Sequence, residues 1–131
     1  MKVLIVDDDP DVRSFLLTCI GTMDCDTVDT AETGEEALGR AVQECYDLVT
    51  PDLKMPGVSG LDILSVIRGM MPWSVIAVIS GYTEEIPETA LEYTDRELSK
   101  PIHVDTLQQL IHLTKDLTDK REAIRALSEM G

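Results

Sequence analysis

Aromatic side chains are scarce in this chain of 131 residues: one Trp, one Phe and three Tyr make up 4% of it. Its interior must therefore be aliphatic, and with 44% hydrophobic residues there is enough material for one packed core and none for a multidomain enzyme. The same figure argues against disorder. Basic residues are scarce as well, 11 Lys and Arg against 25 Asp and Glu, for a formal net charge of -14. That balance argues against binding through nucleic-acid phosphates or acidic lipid headgroups, and favours cations, cationic surfaces or metal-assisted phosphoryl chemistry. Long apolar runs are missing too. The N-terminus passes from Met1-Lys2 through Val3-Leu4-Ile5-Val6 directly into acid, too short a stretch for a signal peptide or a membrane span, so a cytoplasmic protein is expected. Cys19, Cys25 and Cys45 are odd in number and lack C-x-x-C spacing, so they are expected as reduced structural thiols behaving as small buried hydrophobes.

What is present is an alternation of strand and helix signals. Val3–Val6, Leu48-Val49 with its flanks, and Val75–Ile79 read as buried parallel strands, each ending in polar residues. Asp9-Pro10 caps and opens a first helix whose apolar positions are Val12, Leu16, Cys19, Ile20 and Met23. Thr33-Gly34-Glu35-Glu36 has the form of a capping box opening a second helix through Ala37, Leu38 and Ala41. Ser59 and Asp62 start a third, with Leu61, Leu64 and Ile67 inward. Thr83 caps a short fourth, with Glu84 and Glu85 in its first turn. Two polar, short strands around Thr27–Asp29 and Glu97–Ser99 suit sheet edges. The expectation is an α/β, flavodoxin-like doubly wound fold: a five-stranded parallel sheet of order 2-1-3-4-5 with helices on both faces.

In such sheets ligands meet the carboxyl ends of the strands, near the switch point between strands one and three. The residues that follow the strands are Asp7, Asp8 and Asp9 after the first, Asp52 after the third, Ser80 after the fourth and Lys100 after the fifth. Asp9 is expected to be spent on the helix cap. Asp7, Asp8 and Asp52 would repel one another unless a cation sat among them, and an all-oxygen donor set of that charge suits Mg²⁺. Three carboxylates and one ammonium leave about -2, which one divalent cation offsets.

The motifs Ile5–Pro10 (IVDDDP), Tyr46–Leu64 (YDLVTPDLKMPGVSGLDIL), Val78–Tyr82 (VISGY) and Leu98–Pro101 (LSKP) follow in order on the right elements. With them, residues 1–114 resemble the receiver domain of bacterial two-component response regulators. The resemblance implies that Asp52 accepts a phosphoryl group from a sensor histidine kinase or phosphotransfer protein. It further implies that Asp8 directly, Asp7 through water, Asp52 and the backbone carbonyl of Lys54 hold Mg²⁺, and that Lys100 and Ser80 meet the phosphoryl oxygens. The bond before Pro101 is usually cis in that family, and Met55-Pro56-Gly57 reads independently as the turn into the third helix.

Several positions depart from the family pattern. Glu97 stands three positions before the lysine, where an aromatic switch residue is usual, and a charged side chain does not bury without a partner. The segment from Ser80 to Lys100 is about two residues shorter than usual, lacks the usual Gly-Ala pair, and places Pro87 inside the expected fourth helix, which should be irregular. Pro51 has no N–H, so strand three should lose regular pairing at its last residue.

The tail is a different material. Between Lys115 and Glu129 four bases (Lys115, Lys120, Arg121, Arg125) balance four acids (Asp116, Asp119, Glu122, Glu129), so the whole acid excess lies in residues 1–114. Leu110, Leu117 and Ile124 are seven apart, with Leu113 and Leu127 on a second seam position interrupted by Lys120. Asp116 with Lys120 and Arg125 with Glu129 have helix-pair spacing. Residues 115–131 thus read as an extension of the fifth helix with a solvated end, or as a signalling linker to an output domain or a dimerising stalk, in a monomer or weak dimer. Two functions compete with the phosphoacceptor: a degenerate receiver acting as a phosphorylation-independent binding module, and a haloacid-dehalogenase-like phosphotransferase built on Asp7-x-Asp9, Ser80 and Lys100. The second needs a further acidic pair after a later strand, and only helix follows Lys100.

Overall fold

A computed structural model describes residues 1–23, 25–53, 60–81 and 86–130, without the side chains at 60, 61 and 128–130. Strands and helices alternate: β1 (Lys2–Val6), α1 (Pro10–Gly21), β2 (Thr27–Ala31), α2 (Gly34–Gln43), β3 (Leu48–Pro51), α3 (Gly60–Met70), β4 (Val75–Ser80), α4 (Glu88–Leu91), β5 (Arg96–Ser99) and α5 (Val104–Met130). All neighbouring strands are parallel and the order is β2-β1-β3-β4-β5, as expected.

Strand alternation divides the core into two aliphatic layers. Leu4, Val6, Val49, Ile76 and Val78 point to one face and pack with Ala37 and Ala41 of α2, Ile63, Leu64 and Ile67 of α3, and Ala90 of α4. Val3, Ile5, Leu48, Ala77, Ile79 and Leu98 point to the other, against Leu16 and Ile20 of α1 and Leu107 and Ile111 of α5. Both faces of β1, β3 and β4 are therefore dry, which is why their sequences read as continuous apolar runs.

The local signals act largely as read. Asp9 caps α1 by accepting from the Asp11 amide at 2.9 Å, with Pro10 in the first turn. Thr33 caps α2 by accepting from the Glu36 amide at 3.1 Å, while the Glu36 carboxylate reaches back to the amide of Glu32 at 3.2 Å, one residue beyond the usual capping-box partner. Pro87 is not inside α4. It stands at the cap position, where its carbonyl accepts the amides of Ala90 and Leu91 and its missing N–H costs nothing, so the helix is a single turn that begins after it. Ser59, Thr83, Glu84, Glu85 and the Met55-Pro56-Gly57 turn lie outside the described residues, as do the side chains of Leu61 and Glu129.

Pro51 interrupts the sheet on one side only. β3 stays in register with β1 through Val6 and Pro51, whereas its β4 ladder stops at Val49 and resumes at an isolated bridge between Asp52 and Ile79. The Asp52 amide donates to Val6 and the Leu53 amide to Ile79. By the alternation of a parallel strand the position-51 nitrogen faces β4, where proline has nothing to donate.

Cys19, Cys25 and Cys45 are thiols, none of them in a disulfide. Cys19 and Cys25 pack on the α1/α5 layer, but Cys45 is exposed on the way into β3, so burial fails as an account of that thiol. Among the described residues no helix is long and apolar enough to cross a membrane.

Candidate functional site

Each strand end that faces the rim is tied to its neighbour by main-chain hydrogen bonds. The Asp7 amide donates to Ala31, the Asp52 amide to Val6 and the Lys100 amide to Ser80, at 2.9 to 3.0 Å. The sheet thus fixes the backbone from which the Asp7, Asp52, Ser80 and Lys100 side chains depart. Asp7 is held further: its Oδ1 accepts the Asp9 amide at 2.9 Å, and its carbonyl accepts Arg13 Nη1 at 2.8 Å. Arg13 had no part in the reading of the sequence. Its position one turn into α1, within reach of the end of β1, was the available signal.

Carboxylate oxygens of Asp7, Asp8 and Asp52 lie within 4.8 Å of one another. Asp7 and Asp52 are buried and Asp8 is exposed, so the group forms a pit with one solvent-facing wall. Lys100 Nζ reaches into it, 3.2 Å from Asp52 Oδ2 and 3.5 Å from Asp7 Oδ2. Burial pulls the Lys100 ammonium toward losing its proton, but the charges of Asp52 and Asp7 outweigh that and hold it above the usual lysine value. Ser80 ends β4 and is buried at the same rim. Pro101 follows Lys100 through a cis peptide bond. Lys54 lies outside the described residues. Asp9, spent on its cap, faces solvent.

Asp7 Oδ2 is buried and accepts no hydrogen bond, and its only compensation among the described groups is the ion-pair distance to Lys100. A buried carboxylate oxygen without a hydrogen bond is costly, and a hard divalent cation bound by oxygens is the group that would satisfy it. The donor set fits Mg²⁺. Chemically the pit offers an anionic nucleophile beside a fixed cation, with a hydroxyl on the adjoining strand.

Glu97 stands on the exposed side of β5, across from Val78. It is not folded into the core. The neighbouring cleft along β5 runs from Arg96 to His103 and ends at Thr106.

A family model described as response regulator receiver domain matches residues 3–112. The chain is similar to the response regulator protein PilR of Pseudomonas aeruginosa, 32% identical over 116 residues that cover 84% of this chain and 25% of that protein. It therefore spans about a quarter of the length of that relative. Among solved structures it resembles the REC domain of AraT, a response regulator from Geobacillus stearothermophilus, with TM-score 0.83, 30% identity, and 92% and 97% of the two chains covered. It also resembles the response regulator protein TrrA of Thermotoga maritima, solved with Mg(2+)-BeF and, separately, with the histidine kinase ThkA. For the former the TM-score is 0.77 at 31% identity, with 86% of this chain and 97% of that one covered.

Proposed function

The chain belongs to the response regulator receiver domain family, and from that premise we propose that Asp52 accepts a phosphoryl group from a histidine kinase or phosphotransfer protein. The observation that carries this reading is the convergence of the buried Asp52 carboxylate with Asp7, Asp8 and the Lys100 ammonium at one strand-end rim. Asp52 is the nucleophile: a carboxylate oxygen attacks the phosphorus, a P–O bond forms as the P–N bond to the donor imidazole breaks, and the imidazole leaves with its electron pair. Lys100 stays protonated throughout the neutral range and meets a phosphoryl oxygen as a point charge. The Ser80 hydroxyl donates to a second oxygen once the group is in place. Asp7, Asp8 and Asp52, with the Lys54 carbonyl, are the residues that would hold Mg²⁺, which when bound neutralises charge on the transferring group and orients it.

Residues 1–114 carry this chemistry, and α5 continues away from it through Met130, in the direction of an output domain or a downstream protein. The reaction modifies the chain itself rather than turning over a substrate. Phosphorylation then biases a rearrangement of the α4 and β5 face. Because Glu97 is charged and exposed, the readout on that face does not use burial of an aromatic side chain at position 97.

Incubation with acetyl phosphate and intact-mass measurement tests the reading. A phosphoryl adduct is expected with Mg²⁺ and not after chelation, and Asp52→Asn should abolish it. No adduct under any condition would favour a phosphorylation-independent binding module, and sustained turnover of phosphate esters would favour a phosphotransferase.

A further inference from the structure

The 27 residues of α5 present two apolar faces. One, through Leu107, Ile111 and Thr114, is buried against the domain's own sheet. The other consists of Leu113, Leu117, Ile124 and Leu127, which are 63%, 45%, 67% and 66% exposed. These four, together with the partly buried Leu110, occupy the two seam positions of a heptad: Leu110, Leu117 and Ile124 at the first, and Leu113, Lys120 and Leu127 at the second. A helix face of this period matches a second helix of the same period.

We propose that this face pairs with the same face of a second copy of the chain, as a short parallel two-stranded coiled coil over residues 110–127. Charge decides the orientation. In a parallel pair the residue flanking the seam at 116 faces position 121 of the other helix, so Asp116 meets Arg121 of the other copy twice by symmetry. An antiparallel pair centred on the same residues sets Asp116 near Ala123 and Arg121 near Thr114, with no charge pairing. It would also drive the tail of one copy against the globular part of the other, where Leu110 is already partly covered. Asp116 and Arg121 keep local partners, His112 at 3.7 Å and the Trp73 carbonyl at 3.1 Å. The guanidinium has further donors for a second acceptor. Lys120 places an ammonium in the seam, which weakens the pair. With about 27 Å of helix the association is weak and concentration-dependent. It does not depend on the phosphoacceptor reading.

Sedimentation equilibrium of the full 131-residue chain, from micromolar to submillimolar concentration, tests this. A reversible dimer is expected, abolished by Leu117→Glu and by Ile124→Glu with unchanged thermal melting, and tightened by about tenfold or more in Lys120→Leu. Asp116→Arg and Arg121→Asp should each weaken it, and the double exchange should restore it. A chain that stays monomeric even as Lys120→Leu, or a dimer indifferent to Leu117→Glu, overturns the proposal. A double exchange weaker than either single change overturns the parallel register.

Discussion

Lys100 and Tyr46 hold their protons more tightly in the folded chain than in the unfolded one, for opposite balances of the same forces. Burial lowers the Lys100 value, and the charges of Asp52 and Asp7 more than reverse it. For Tyr46 burial raises the value, and the hydrogen bond from its hydroxyl to Asp29 at 2.6 Å adds to it. A folded-state value raised above the unfolded one stabilises fully below the unfolded value and is lost as pH rises through the folded one. The contribution of these two groups to stability should therefore be complete and independent of pH in the neutral range, and be lost as pH rises above their ordinary values of 10.5 and 10.0. Urea melts across alkaline pH should show a shallower decline for Lys100→Met and for Tyr46→Phe. An unchanged decline in both would contradict the assignment. Thr50, one residue before Pro51, carries a buried hydroxyl with no hydrogen-bond partner. Thr50→Val should raise unfolding stability by about 1 kcal/mol, since an unsatisfied buried polar group costs about 1–3 kcal/mol. A loss of that size would mean the hydroxyl is engaged. The acids away from the site also gain a role that composition could not assign. Asp47 accepts the Lys2 amide at 2.8 Å, and Asp95 accepts the Ile76 amide at 2.9 Å and Arg68 at 2.7 Å. Part of the negative charge thus finishes strand ends.

At the scale of elements, the apolar runs of β1, β3 and β4 were legible because burial on both faces leaves no polar alternation, and α1 and α2 because Asp9 and Thr33 cap them. The rim residues were legible because topology alone carries Asp7, Asp52, Ser80 and Lys100 to one edge. What escaped depended on direction in three dimensions: Arg13 turning back to Asp7, Asp116 pairing with His112, Pro87 standing before α4 rather than within it, and the side of β3 that Pro51 disturbs. That last point is testable. Pro51→Ala supplies an amide facing β4, and hydrogen-exchange NMR should find it protected along with its neighbours in the strand. Rapid exchange at position 51 would contradict the register between β3 and β4. In α2, Thr33→Ala removes the cap bond to Glu36 and should cost about 1 kcal/mol of stability in a urea melt.

Over the whole molecule, the charge of -14 and the shortage of aromatics describe two regions with different work. The sheet and its helices hold the acid excess, spend part of it on strand ends, and concentrate three carboxylates at one rim beside Lys100. The nearly neutral continuation of α5 carries exposed leucines instead. The claim on which the rest turns is that this arrangement makes Asp52 the phosphoacceptor. An acyl phosphate is reduced by borohydride to the alcohol, so an aspartyl phosphate becomes homoserine and marks its own position. After acetyl phosphate, Mg²⁺ and borohydride, peptide mass spectrometry should find homoserine at residue 52, with none formed when the metal is chelated. Homoserine at any other aspartate, with residue 52 unaltered, would contradict the account.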